Sequence, residues 1–214
     1  MGIPIAIIGE SGSGKTFSIK PLDPDQVGIF LCEKSRLPFR KTFKTWKVPG
    51  PNQGDAILAA LRRRKDPKQI YVIDDSQYIM ANEFFDRAAE VGYQKFTDIG
   101  VHFRNLIHAV NTELPDDVTV YFLHHPETDP ATGKSKAKTI GRMLDEKLTL
   151  EGCFDIVLFA KTDGTDHWFQ TQSDGTNTAK SPEDMFPEKI PNDLANVDKI
   201  VREYYGLNEK KARN

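Results

Sequence analysis

Gly9-Glu10-Ser11-Gly12-Ser13-Gly14-Lys15-Thr16 is the stretch that decides the fold. It fills the pattern GxxxxGK[ST] at every fixed position and directly follows the apolar run Ile3-Pro4-Ile5-Ala6-Ile7-Ile8. A strand, a glycine-rich loop and a lysine in that order are what a phosphate cradle requires. The glycines let the main chain wrap closely and turn its N–H groups toward phosphate oxygens. A helix is expected over residues 15–19, so that its N-terminus adds partial positive charge at the same point. Lys15 is then placed to reach the β- and γ-phosphates as a catalytic cation, and the Thr16 hydroxyl to ligate Mg²⁺. Gly9 through Thr16 are the expected nucleotide-binding residues, with ATP and Mg²⁺ as cofactors.

Downstream, Ile70-Tyr71-Val72-Ile73-Asp74-Asp75 is an apolar run ending in two carboxylates. Beside a phosphate loop this reads as the second half of a magnesium site, with Asp74 holding the ion through its water. Hydrolysis also needs a group to orient the attacking water. Asp75 follows the magnesium acid directly. Glu33 ends the second predicted strand, at the mouth where ligands bind in such sheets, and its longer side chain favours it slightly. His124 and His125 end the fourth predicted strand, and one of the pair, His124 in the first instance, is a candidate sensor of the γ-phosphate. His102, His108 and His167 read as structural or surface residues.

Short apolar runs alternate with helix-length amphipathic stretches, the pattern of a parallel sheet covered by helices. Strands are expected at 3–8, 27–32, 70–73, 118–123, 156–160 and 167–171, the last two joined by Asp163-Gly164-Thr165-Asp166 as a C-terminal antiparallel hairpin. Helices are expected at 54–64, 82–111 and 192–205, with Gly92 and Gly100 marking where the second divides. Residues 33–53 and 126–139 read as irregular. The chain has 214 residues and a formal net charge of -2, which fits one α/β domain over 1–205 followed by a frayed tail over 206–214. That charge supplies no global attraction to nucleic acid or membrane. The apolar N-terminal run is too short to span a bilayer and lacks a basic leader, and Ala6 stands where a myristoylation signal needs Ser or Thr. Cys32 and Cys153 read as free thiols buried in a cytoplasmic protein.

The motifs together resemble the RecA-like P-loop ATPase core, and more closely the short bacteriophage-type AAA/RecA-core ATP-binding proteins of DNA recombination and single-strand annealing. The matching pieces run from Ile7-Ile8-Gly9 through Thr16, Leu37-Pro38-Phe39, Ile73-Asp74-Asp75-Ser76, His124-His125, the segment from Thr139 to Asp145, and Ala179-Lys180-Ser181-Pro182. The resemblance implies a five-strand RecA-type core, Mg-ATP, and assembly into a ring or filament. It also implies a site completed by a basic residue from the neighbouring subunit, for which Arg142 and Lys180 are the candidates and Lys136, Lys138 and Lys161 weaker ones. Asp75 departs from the pattern, because many AAA proteins carry glutamate there.

The segment from Arg36 to Trp46 interleaves Arg36, Arg40, Lys41 and Lys44 with Phe39, Phe43 and Trp46. Cations that follow phosphates and rings that stack on bases make a single-stranded DNA platform. The competing reading is a loop whose rings cover the core while its cations face water. Further basic residues, Arg62-Arg63-Arg64-Lys65 and Lys134, Lys136 and Lys138, read as solvated or as secondary contacts. The functional reading is a DNA-directed, Mg-dependent ATPase. The alternatives are a small-molecule P-loop kinase, whose lid would be residues 126–147, and a nucleotide-dependent binding module. A strand lying between the 3–8 and 70–73 strands favours the ATPase, and direct adjacency of those two favours the kinase. No guanine-reading NKxD motif is visible.

Overall fold

Along β1 (Ile3–Ile8) successive side chains alternate between two cores: Ile5 and Ile7 face one, Ala6 and Ile8 the other, and all four are buried. β2 (Val27–Leu31), β4 (Ile70–Asp74), β5 (Thr119–His124) and β8 (Ile156–Thr162) behave in the same way. That is why their sequences read as continuous apolar runs: both faces of the sheet are covered. The computed structural model describes residues 1–33, 36–48, 50, 52–63, 67–140 and 149–207.

The remaining strands are β3 (Lys44–Lys47), β6 (Pro126–Thr128), β7 (Ser135–Ala137), β9 (His167–Gln170) and β10 (Lys189–Pro191). The main sheet has the order β10-β9-β8-β1-β5-β4-β2-β3. From β8 to β3 every pairing is parallel, while β9 and β10 are antiparallel additions at one edge. β6 and β7 form a separate antiparallel pair. Helices α1 (Gln53–Arg63), α2 (Gln77–Asp86) and α3 (Gln94–Glu113) share the core of Ala6 and Ile8. Helix α4 (Leu194–Tyr204) closes the other face, packing Leu194, Val197 and Val201 on Ile5 and Ile7. Among the described residues no helix is long and apolar enough to cross a membrane.

The expected strand 167–171 pairs with β8 through the Asp163–Asp166 turn, so the hairpin is present. The long helical stretch divides into α2 and α3, with Gly92 between them at φ 101°. Three expectations need correction. Residues 15–19 form only a short 3₁₀ turn, Phe17–Ile19, because Pro21 cannot donate to the Phe17 carbonyl and its ring blocks the next turn. The segments read as irregular contain β3 in the first and β6–β7 in the second. Cys153 is only half-buried, although Cys32 is buried as expected.

Candidate nucleotide site

Parallel pairing sets the ends of the central strands level. Ile8 lies opposite His124, and Leu31 opposite Asp74. The phosphate loop leaves β1 at this edge, so its groups meet those at the ends of β4 and β5. Thr16 Oγ1 donates to Asp74 Oδ1 at 2.9 Å, across 58 residues of chain, and both side chains are buried. The Lys15 ammonium is buried at the centre of the loop, donating to the carbonyls of Gly9 at 2.5 Å and Glu10 at 2.9 Å. The Ser13 hydroxyl is buried with no hydrogen-bond partner among the described residues. A buried polar group of this kind is costly unless something satisfies it, a need that a phosphate oxygen at the loop would meet. Helix-dipole attraction contributes little, since only a 3₁₀ turn follows the loop.

Two groups brace the loop from the C-terminal strands. Asn192, just after β10, donates Nδ2 to the Gly14 carbonyl at 3.1 Å. His167, the first residue of β9, holds Nδ1 at 3.1 Å from the Ser13 carbonyl. A carbonyl only accepts, so Nδ1 carries the proton. The sequence reading placed His167 among structural or surface residues. It is exposed, yet it lines the phosphate-loop cavity with Lys15, Thr16, Phe17, Pro38 and His125. The signal was present, because a strand antiparallel to β8 must begin at the edge where the parallel strands end.

The two adjacent histidines do different things. His124 is buried, with Nε2 2.7 Å from the Lys138 carbonyl and Nδ1 2.9 Å from Ser76 Oγ. Burial lowers its pKa from 6.5 to about 4, so the ring is neutral at pH 7, donates from Nε2 and accepts the Ser76 proton at Nδ1. It ties β5 to the start of α2 and to the strand-end after β7. His125 lines the cavity and holds Nε2 3.4 Å from Asp75 Oδ1. Asp75 is buried at φ 59°, a left-handed conformation that Asp tolerates better than most residues. This kink at the end of β4 turns the Asp75 carboxylate toward the end of β5. Glu33 is exposed at the end of β2. Cys32, which precedes it, has its thiol pushed up by burial and by nearby Asp74, so it stays protonated and unreactive.

β5 therefore separates the strand that carries the phosphate loop from the acidic strand, with the loop threonine and the β4 aspartate in contact. The fold is that of a RecA-like P-loop NTPase. No family model and no curated protein sequence matches the chain. Among solved structures it is similar to an ATPase of the type III secretion system of pathogenic bacteria, at TM-score 0.49 and 11% identity over 76% of this chain and 52% of that one. It is also similar to a DnaB-like replicative helicase, at TM-score 0.48 and 13% identity over 85% of this chain and 57% of that one. The chain thus spans little more than half the length of either.

The expected DNA platform is changed by packing. Phe43 is buried. Trp46 stacks on Phe30, with centroids 5.1 Å apart, and Phe39 packs on the same core as β1's Ile5 and Ile7. The rings cover the core because β3 adds to the sheet beside β2. Lys41 donates to the Lys20 and Leu22 carbonyls, whereas Arg36, Arg40 and Lys44 are exposed. Of the candidates for completing a neighbour's site, Arg142 lies outside the described residues. Lys180 is half-buried and pairs through its backbone with Val157 of β8.

Proposed function

We propose that this chain is a Mg-dependent ATPase that acts on DNA in phage-type recombination, single-strand annealing or replication. The observation that carries the reading is the contact of Thr16 Oγ1 with Asp74 Oδ1, formed beneath the phosphate loop with β5 between the two strands. Loop amides, Lys15 and the Ser13 hydroxyl hold the phosphates. Thr16 and Asp74 hold Mg²⁺, which when bound neutralises phosphate charge as a Lewis acid. His125 faces the phosphates from the end of β5, and Asp75 orients it. The water-orienting acid is Glu33 or Asp75, and separate Glu33→Gln and Asp75→Asn variants distinguish them: the substitution that lowers turnover at unchanged ATP affinity marks the acid. The interposed β5 supports an ATPase over a small-molecule kinase.

DNA contact falls to the exposed Arg36, Arg40 and Lys44, which track phosphates, with less stacking than the sequence implied. Assembly into a ring or filament, with Arg142 or Lys180 reaching a neighbour's nucleotide, and a cytoplasmic location complete the proposal. The test is nucleotide turnover with and without Mg²⁺ and single-stranded DNA, with oligomer size followed in parallel. Mg-dependent hydrolysis raised by DNA and abolished by Lys15→Ala is the expected result. Phosphate transfer to a small acceptor, or tight ATP binding with no turnover, overturns it.

A further inference from the structure

The phosphate-loop cavity, of about 470 Å³, falls within the size range of small-ligand sites, and its lining mixes two chemistries. The loop with Lys15 and Thr16 suits an anion, while Phe17 and Pro38 offer apolar surface. A ligand that uses both carries an anionic group and a flat apolar one. Phe17 follows Thr16 directly and is 49% exposed. An exposed phenylalanine alone carries little weight. This one opens into the cavity and is held in place from behind. Its ring meets Phe39 edge-on at 6.1 Å, and Phe39 meets Phe43 edge-on at 5.9 Å, with Phe43 buried in the core. The Lys20 ammonium stands 5.1 Å from the Phe17 centroid. The aromatic ladder thus ends in a fixed ring at the mouth of the phosphate site.

Resting on the nucleotide reading above, we infer that Phe17 is the stacking platform for the nucleobase, so that the base as well as the triphosphate is bound by this one subunit. The fixed ring spares the entropy of ordering a side chain on binding, and it favours nucleotides over inorganic polyphosphates that the loop alone would accept equally.

The experiment compares ATP with inorganic tripolyphosphate, each with Mg²⁺, by calorimetry on the full chain. The wild type should bind ATP more tightly than tripolyphosphate. Phe17→Ala should weaken ATP by about 5- to 150-fold, the equivalent of about 1–3 kcal/mol for one stacked ring, and leave tripolyphosphate unchanged. Phe17→Trp should retain ATP. Equal loss of both ligands in Phe17→Ala makes the ring merely structural and overturns the inference, as does unchanged ATP affinity or a wild type with no preference for ATP. A wild type that binds neither ligand instead removes the phosphate-loop reading beneath it.

Discussion

At the scale of single residues, His124 shows how the candidate site is held together by buried groups bonded within the protein. Its ring is neutral because burial disfavours the charged form, and both nitrogens are spent on Ser76 and the Lys138 carbonyl. The linkage sign follows. With a native pKa of about 4 against 6.5 for the free side chain, the unfolded chain binds the proton that the native ring refuses. The stability this group contributes is therefore complete above pH 6.5 and is lost as the pH falls toward 4, by on the order of 3 kcal/mol in all. Urea unfolding of wild type and His124→Gln at pH 7 and pH 4.5 isolates the effect from carboxylates that titrate in the same range. The wild type should lose more stability between the two pH values than the variant, and equal losses would place the proton elsewhere. The sequence marked the histidine pair but not the division of labour, which depends on which ring the end of β5 turns inward.

At the scale of elements, the phosphate loop is shaped by glycine conformation and held by strands far away in sequence. Gly12 and Gly14 both have left-handed backbones, at φ 84° and 91°. A methyl group at Gly12 meets nothing among the described residues, whereas at Gly14 it falls 2.4 Å from Asn192 Nδ2 and 3.0 Å from His167 Nδ1. Gly12→Ala should therefore carry only backbone strain, about 1–2 kcal/mol. Gly14→Ala carries that strain and also displaces the Asn192 amide and the His167 ring, so its ATP affinity should fall further. Because Asn192 is a movable side chain, Asn192→Ala should recover part of the excess in a double-mutant cycle read by ATP binding; additive losses would mean that Asn192 does not brace the loop. The loop was fully legible from residues 9–16, and so were the buried strands, whose apolar runs reflect two covered faces. Of its braces, His167 opens the expected strand β9, whereas Asn192 follows β10, one of two edge strands with no apolar signature. β3 carries Lys44 and Lys47 and β10 carries Lys189 and Pro191. Short, charged or proline-bearing edges resist pairing with other chains, and the same composition hides them from a search for hydrophobic runs. The helix expected after the loop was misread for a local reason, since Pro21 stops it within one turn.

At the scale of the whole molecule, binding chemistry and structural support sit at opposite edges of one sheet. The carboxyl ends of β1, β4 and β5 carry the candidate nucleotide site. The amino end of β5 carries a buried ionic cluster: Asp198 of α4 accepts from Thr119 Oγ1 at 2.6 Å, from Tyr121 OH at 3.0 Å and from the Arg202 guanidinium. Arg202 also donates to the Asp117 carbonyl at 2.9 Å and the Gln69 carbonyl at 3.3 Å, so one helix is tied to the starts of β4 and β5. Removing one partner of such a pair leaves a buried charge uncompensated, so Asp198→Ala should destabilise the fold by about 3–5 kcal/mol. β5 runs from Thr119 at this edge to His124 at the other, a span of about 16 Å at strand rise. Sites this far apart, with no shared partners, behave additively. The molecules of Asp198→Ala that remain folded should accordingly bind ATP with wild-type affinity, and combining it with Lys15→Ala should give stabilities that add within about 0.5 kcal/mol. Calorimetry beside urea unfolding reads both quantities. A loss of ATP affinity in folded Asp198→Ala would mean that α4 and the phosphate loop are coupled through the sheet, and that the two edges do not act independently.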